Sequence, residues 1–231
     1  MKTIQVIPYM VNSAAMNMAI DEWMLKSKGT FLRVYGWLPS ALSFGRNQSK
    51  FSEIDSEYCR ENNIDTIKRL TGGRTVFHHK EITYAIASEN VYFSDSVVKT
   101  YQAISQVLCE FLKQLGIDPE MKKNRNREDP SSVCFKQVSN YEITVNGKKL
   151  IGSAQFRNSK RFLQHGSIPL SLDWDIWYAI WHHIEDQKGM KDRITCLEET
   201  VAGLPKVEEI ADALIQSFQN ILGSCVRNVE W

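Results

Sequence analysis

The dipeptide Asn146-Gly147 constrains the fold of this chain more than any other short segment. It separates two predicted strands, Val138–Val145 and Lys148–Arg157. Asn-Gly is favoured in two-residue type I′ turns because both central positions of that turn need a positive φ. The sequence therefore predicts an antiparallel hairpin, and with it a β-sheet, in the second half of the chain.

A two-residue turn at this point also predicts which residues face each other. Thr144 faces Lys149, and Ile143 faces Leu150. Because side chains alternate along a strand, Lys149 points away from Ile143 and Leu150. That side of the strand is either solvent, the commoner place for a strand lysine, or the floor of a cleft. The small residues at 152–154 favour a cleft because they leave space against the sheet.

Hydrophobic spacing and turn residues predict the remaining elements. Helices are predicted at Ala14–Lys26, Ser52–Asn62, Ser94–Leu115, Trp174–Glu185 and Lys206–Leu222. Further strands are predicted at Ile4–Ile7, Thr30–Trp37, Ala41–Phe44, Asp65–Leu70, Val76–Phe77, Ile82–Ala87 and Arg161–Leu170. Strands dominate the middle of the chain and helices flank them, which predicts an α+β fold with helices mainly on one side of the sheet.

The composition excludes several classes of protein. Hydrophobic residues make up 43% and charged residues 24% of the 231 positions, which rules out a disordered or fibrous chain. The formal net charge of +1 argues against general nucleic-acid binding. No apolar run approaches the roughly 18–20 residues of a membrane span, and we identify no signal peptide. The length allows one large domain or two small ones.

The cysteines predict a cytoplasmic protein, because no Cys-x-x-Cys pair occurs and the thiols are expected to be reduced. They lie at Cys59, Cys109, Cys134, Cys196 and Cys225. Cys134 differs from the others because it precedes the hairpin that carries Lys148 and Lys149. A nearby ammonium would lower the pKa of that thiol and favour a nucleophilic thiolate, although an inert thiol is the more frequent case.

A glycine-rich turn, from Arg69 to His79, lies between two predicted strands. Paired glycines let backbone N–H groups approach a ligand closely, but the segment lacks the Gly-Lys-Ser/Thr of a phosphate-binding loop. By composition alone a plain turn and a binding site are equally favoured, and the flanking Arg69 and His78 favour a site. The five histidines have no metal-binding spacing, so no metal site is expected.

These segments occur together in one known family. The chain resembles the biotin/lipoate protein ligase superfamily, and within it the Gram-positive-type octanoyltransferases. The resemblance covers nearly the whole chain and is carried by Asn17-Met-Ala-Ile-Asp21, Arg33-Val-Tyr35-Gly-Trp37, Ser43-Phe-Gly45, Arg69-x-Thr-Gly-Gly-Arg-x-Val-x-His78, Cys134-Phe, Asn146-Gly-Lys-Lys149-Leu-Ile-Gly-Ser-Ala-Gln155 and Gln164-His-Gly-Ser-Ile168.

The resemblance implies a single catalytic domain over residues 1–231, with a mixed, largely antiparallel sheet, flanking helices and no C-terminal accessory domain. It implies an acyl-thioester on Cys134, and a Lys149 that lowers the pKa of this thiol and orients the acyl carbonyl. It also implies an acyl-binding wall formed by Arg69, Gly72, Gly73, His78, Gly152, Ser153, Ala154, His165 and Gly166. One departure concerns His79, which stands where relatives usually carry Asp.

The implied activity is transfer of octanoyl from acyl carrier protein to a lysine of a lipoyl domain, in the glycine cleavage H protein or dehydrogenase E2 subunits. We expect no cofactor and no metal, no nucleic-acid or membrane partner, and a monomer. The charged segment Lys122–Arg127, commonly a solvated loop, is a candidate docking site for these acidic partners. The alternatives are an ATP-dependent lipoate–protein ligase, an amidotransferase acting between lipoyl-domain proteins and, least favoured, a non-catalytic binding module.

Overall fold

The computed structural model describes residues 3–48, 53–94, 96–122, 142–181, 187–222 and 225–228. The strands are β1 (Thr3–Asn12), β2 (Thr30–Trp37), β3 (Ala41–Phe44), β4 (Asp65–Lys68), β5 (Val76–His78), β6 (Glu81–Glu89), β7 (Glu120–Lys122), β8 (Glu142–Val145), β9 (Lys148–Arg157), β10 (Arg161–Pro169) and β11 (Cys225–Asn228). The helices are α1 (Ala14–Lys26), α2 (Ser56–Glu61), α3 (Val97–Gln114), α4 (Trp174–Ile180), α5 (Gln187–Lys191), α6 (Leu197–Thr200) and α7 (Val207–Leu222), with a 3₁₀ turn at Asn90–Tyr92.

Most predicted elements are present. The predicted bounds of α1, β2, β3 and β9 agree residue by residue with the structure, and Asn146 and Gly147 both have positive φ, as a type I′ turn requires. The helix predicted from Ser52 begins only at Ser56, where the Asp55 side chain accepts a hydrogen bond from the Tyr58 N–H. The structure contains two strands that the sequence does not predict, β7 and β11.

The larger sheet has the strand order β11-β1-β2-β6-β10-β9-β8-β7. Its β1 pairs in parallel with both β11 and β2, and the other neighbouring strands are antiparallel. The smaller sheet has the order β4-β3-β5, with β3 parallel to β4 and antiparallel to β5. The predicted mixed, largely antiparallel α+β architecture is therefore confirmed.

Helices cover both faces of the larger sheet. α3 and α7 pack on one face, in a core that includes Leu32, Ile86 and Phe162. α1 packs on the opposite face, where Ala85 and Leu163 lie. The two long helices thus share one side, as predicted, but α1 is an exception because alternate residues of the central strands are apolar on both faces.

The buried face of α1 is partly polar. Met16 is 52% exposed and Trp23 is 40% exposed, although the apolar spacing that predicted this helix included both. The helix instead buries Asn17 and Asp21 beside Met24. Periodicity found the helix but not its orientation, because polar side chains are buried here by specific partners.

The smaller sheet separates a second apolar cluster from the larger sheet. Leu42 and Phe77 pack with Trp177 and Trp181 on its outer side. Since side chains alternate, Ser43 of β3 points to the inner side, toward the larger sheet. Within the described residues, no helix is sufficiently long and apolar to cross a lipid bilayer.

The packing of α3 on the larger sheet predicts a large difference between its two faces. We expect Phe111→Ala, a fully buried truncation, to lower the free energy of unfolding by about 3–5 kcal/mol. Val98→Ala, on the exposed face of the same helix, is expected to change it by less than about 0.5 kcal/mol. Urea unfolding monitored by circular dichroism measures both, and equal losses would contradict this packing.

Candidate active site

A cavity with about 380 Å³ of empty space lies between the two sheets. We call it the inter-sheet cavity. Strands β9 and β10 form one wall, and β3 and β5 with Arg69 form the opposite wall. Seven of the predicted acyl-binding residues line it, namely Arg69, His78, Gly152, Ser153, Ala154, His165 and Gly166. The other two, Gly72 and Gly73, are not among its lining residues.

Small residues on β9 and β10 make room for the cavity. Ala154 pairs with His165, and Gly152 pairs with Ser167, so these side chains share one face of the sheet. Gly166 points to the other face, where a Cβ atom would lie only 2.5 Å from the Tyr84 ring. A larger residue at position 166 would therefore displace the core behind the cavity wall.

A register shift in the hairpin decides where Lys149 points. Thr144 pairs with Lys149 as predicted, but Ile143 pairs with Ile151 rather than with Leu150. The predicted neighbour was wrong because β9 contains an irregularity there, and both Leu150 and Ile151 are buried in the core. The extra residue places Lys149 on the same face as Gly152, which would otherwise lie on the opposite face.

Lys149 is buried rather than solvated. Its side chain is 1% exposed, and its Nζ lies 2.5 Å from Oε1 of Glu142. Its backbone N–H donates to the carbonyl of Arg193 at 2.7 Å, and its carbonyl accepts from the N–H of Thr195 at 3.0 Å. The common solvent-exposed position of a strand lysine is thus excluded, and the ammonium is held on the cavity face of β9.

The buried guanidinium of Arg69 organises the opposite wall. Its Nη2 donates to the carbonyls of Gly72 and Arg74, at 2.9 and 2.6 Å. Its Nη1 donates to the carbonyl and hydroxyl of Ser43, and its Nε to the Thr71 hydroxyl. These contacts use all five N–H groups of the side chain. Arg69 therefore lines the cavity while binding the glycine-rich turn in place.

The glycine-rich turn is in close contact with Gly45 at Gly73, whereas a Cβ atom on Gly72 would meet nothing within 4 Å. A Cβ atom on Gly45 would lie 1.8 Å from the carbonyl oxygen of Gly73, and Gly73 itself has a φ of +91°. The two backbones are in direct contact, which explains why glycine occupies both positions. Binding of a ligand by the N–H groups of this turn stays a prediction.

Burial sets the protonation of His165, and the Asp21 carboxylate sets its tautomer. Burial would raise the pKa of Asp21, but the Arg33 guanidinium and the hydrogen bond from His165 outweigh it and hold that pKa below its usual value. Burial lowers the pKa of His165 despite this contact. Neutral His165 then donates from Nδ1 to Asp21 at 2.9 Å, and its Nε2 accepts from the Thr71 hydroxyl at 2.7 Å.

His78 is held in a similar way on the other side of Arg69. Its Nε2 lies 2.7 Å from the Ser43 hydroxyl, and its Nδ1 lies 2.8 Å from Oε1 of Glu81. Glu81 also accepts from the hydroxyls of Thr83 and Ser167. The ring of His78 stacks on Trp37 at 3.8 Å between centroids. Both ring nitrogens of each cavity histidine are therefore occupied by protein groups.

Sequence reasoning missed several members of this network. Asp21, Glu81 and Glu142 were not proposed as site residues, nor were Ser43 and Thr71. One signal was available, because Asn17 and Asp21 are four residues apart and so lie on one face of a helix. Glu142 had no local signal, since its partner is set by the hairpin register.

Other predicted residues lie outside the cavity or outside the described residues. Cys134 and residues 123–127 are not described, so their predicted roles stay predictions. His79 hydrogen bonds to the Ser40 hydroxyl at 2.7 Å, and burial lowers its pKa.

Burial raises the pKa of the Cys59 thiol to about 11, and it also raises the pKa of the Cys196 thiol. Both thiols are buried.

The state of His165 makes stability depend on pH in a definite direction. Its folded pKa lies below the unfolded value, so the unfolded chain binds a proton first as the pH falls below about 6.5. We expect the free energy of unfolding to fall between about pH 7 and pH 5, by at most about 1.4 kcal/mol per pH unit for this group. His165→Gln should flatten that slope in urea unfolding series, leaving the smaller share of His79. An unchanged slope would contradict a neutral, buried His165.

A family model described as the lipoyl protein ligase A/B catalytic domain matches residues 13–219. The chain is 38% identical over 231 aligned residues to the octanoyltransferase LipM of Kyrpidia tusciae, covering 92% of this chain and 84% of that protein. It is 44% identical over 170 residues to LipM of Clostridioides difficile, covering 69% of this chain and 62% of that protein.

Solved structures agree on the fold. A structure described as a putative lipoate protein ligase from T. acidophilum with bound lipoic acid has a TM-score of 0.80 at 20% identity. The match covers 100% of this chain and 90% of that one. A lipoate-protein ligase A bound with ATP has the same TM-score at 19% identity, again covering 100% of this chain and 90% of that one. The match to the family model spans most of the sequence, and its fold is the one described above, so this chain belongs to the lipoyl protein ligase A/B catalytic domain family.

Proposed function

We propose that this protein is an octanoyltransferase of protein lipoylation, and that it transfers octanoyl from acyl carrier protein to a lipoyl-domain lysine through a thioester on Cys134. The observation that carries this function is the inter-sheet cavity, with buried Lys149 on the face of its β9 wall. Relatives at 32–44% identity are named octanoyltransferase LipM, which supports the same activity.

The cavity suits an acyl chain in the chemistry of its walls. Its empty space of about 380 Å³ includes volume that is open to solvent. The N–H groups of Arg69 and the ring nitrogens of His78 and His165 are bonded to protein partners. An alkyl chain can therefore fill the space without taking hydrogen bonds from buried polar groups.

The chemistry consists of two acyl transfers. The Cys134 thiolate attacks the thioester carbonyl of the acylated carrier, a new C–S bond forms, the carrier's C–S bond breaks, and the carrier leaves as a thiolate. The ε-amine of the acceptor lysine then attacks the Cys134 thioester. A C–N bond forms and the C–S bond breaks. The proton lost by the amine is taken up by the released Cys134 thiolate, which becomes a thiol. The Lys149 ammonium stabilises the thiolate and orients the acyl carbonyl.

The competing activities differ in what they require. An ATP-dependent ligase joins free lipoate through an adenylate and needs no thiol, whereas an amidotransferase uses the same cysteine with a lipoyl-domain protein as donor. The neighbours of solved structure are ligases, but at 18–20% identity they support the fold alone. The relatives of higher identity are octanoyltransferases, so the ligase is not favoured.

The thioester predicts a covalent adduct. Incubation with octanoyl-carrier protein should add one octanoyl group to the wild-type chain in intact-mass spectra without ATP, and Cys134→Ala should abolish both the adduct and the product. Cys109→Ala, at a partly buried helix position, is the matched control and should retain both. Product formation that requires ATP and free lipoate and survives Cys134→Ala would show ligation instead.

The cavity wall predicts the accepted chain length. Ala154 lines the cavity, so we expect its side chain to contact the bound acyl chain. Ala154→Leu should lower kcat/KM for octanoyl at least about tenfold relative to hexanoyl, because added methylenes overfill the cavity. Ala202→Leu, at an exposed position, is the control. An unchanged octanoyl-to-hexanoyl ratio in steady-state assays would contradict this binding mode.

A further inference from the structure

Glu142 and Lys149 form a buried ion pair beside the cavity. The two side chains are 5% and 1% exposed, and Nζ lies 2.5 Å from Oε1. Glu142 and Thr144 are two residues apart on β8, so they share one face, and Thr144 pairs with Lys149. The carboxylate therefore lies on the same face of the sheet as the ammonium and the cavity.

The backbone of Lys149 is held on both edges of β9. On one edge it pairs with Thr144 of β8. On the other edge, the segment that contains Arg193 and Thr195 bonds to its N–H and carbonyl, and Ile194 forms an isolated parallel bridge with it. The position of the Cα atom is thus set independently of the ion pair, and Glu142 is a carboxylate in direct contact with the ammonium.

An ion pair at this depth is weak evidence for a role in stability. Removing two charges from water costs about as much as their attraction returns, and apolar replacements of such pairs are often neutral or stabilising. A single buried ammonium is different, because without a counter-charge it loses its proton or moves toward water. A carboxylate in contact with Lys149 therefore helps to determine the direction of that side chain.

We propose that Glu142 is a positioning residue for acyl transfer, which holds the Lys149 ammonium on the cavity face of β9. The proposal rests on the proposed function, since the ammonium acts on the Cys134 thiolate and on the acyl carbonyl. Glu142 itself acts through Lys149.

The test compares Glu142→Gln with the wild type in two measurements. Alkylation of Cys134 by iodoacetamide at neutral pH, followed by intact-mass spectrometry, should be about tenfold slower in the variant. A tenfold loss of thiolate corresponds to an increase of about one unit in the pKa of the Cys134 thiol. Loading of Cys134 from octanoyl-carrier protein should slow similarly. Glu142→Asp, which keeps the carboxylate one methylene farther back, should give intermediate rates. Glu120→Gln, at an exposed position on β7, is the matched control and should behave as wild type.

A second pair of variants separates positioning from folding. The double variant Glu142→Gln, Lys149→Met removes both charges and should melt at a higher temperature than Glu142→Gln alone, yet show no loading of Cys134. If Glu142→Gln does not fold, Glu142→Asp is compared in its place, and loading at the wild-type rate by that variant would overturn the proposal.

The outcomes distinguish this proposal from the function on which it rests. If wild-type protein forms no Cys134 adduct, the proposed function fails. If the wild type loads and folded Glu142→Gln loads and alkylates at the same rate, only the positioning role fails. Faster alkylation in Glu142→Gln would show that Glu142 competes with the thiolate for the ammonium, which also overturns the proposal.

Discussion

The hydrogen bonds of the buried Arg69 guanidinium hold the cavity wall in place. Its five N–H groups reach the glycine-rich turn, the backbone of β3 and the hydroxyls of Ser43 and Thr71. A guanidinium only donates hydrogen bonds, so each hydroxyl must accept from it and is left to donate elsewhere. Each of them donates to the Nε2 atom of a cavity histidine. One cation thus fixes the hydrogen-bond direction of an entire wall.

The carboxylates complete this arrangement at its two ends. Asp21 accepts from Nδ1 of His165, and Glu81 accepts from Nδ1 of His78. Polar groups at this depth are tolerated only when they are paired. Because the pairing is internal, the histidines present their ring carbons rather than unbonded nitrogens to the space between the sheets. Neither histidine has an unbonded ring nitrogen in this structure. The buried basic side chain on β9 is Lys149.

The second constraint is a single extra residue in β9. Side chains alternate with a period of two, so one added residue moves every later side chain to the other face. Here the irregularity places both Leu150 and Ile151 in the core and brings Lys149 to the face of Gly152 and Ala154. Without it, the lysine and the small residues that make the cavity would lie on opposite sides of the sheet. The reacting end of the proposed acyl site therefore depends on this local departure from regular pairing.

The sequence by itself determined the elements whose signals are local. Periodicity, turn chemistry and the family motifs predicted the bounds of α1, β2, β3 and β9, the Asn146-Gly147 turn and half of the cavity-lining residues. Tertiary structure alone decided the buried face of α1, the pairing that makes strands of β7 and β11, the register of Ile143 with Ile151, and the partners of Asp21, Glu81 and Glu142. The reason is that these features depend on contacts between residues distant in the chain. A local pattern shows that a side chain is polar, but only the assembled sheets supply the partner that permits its burial.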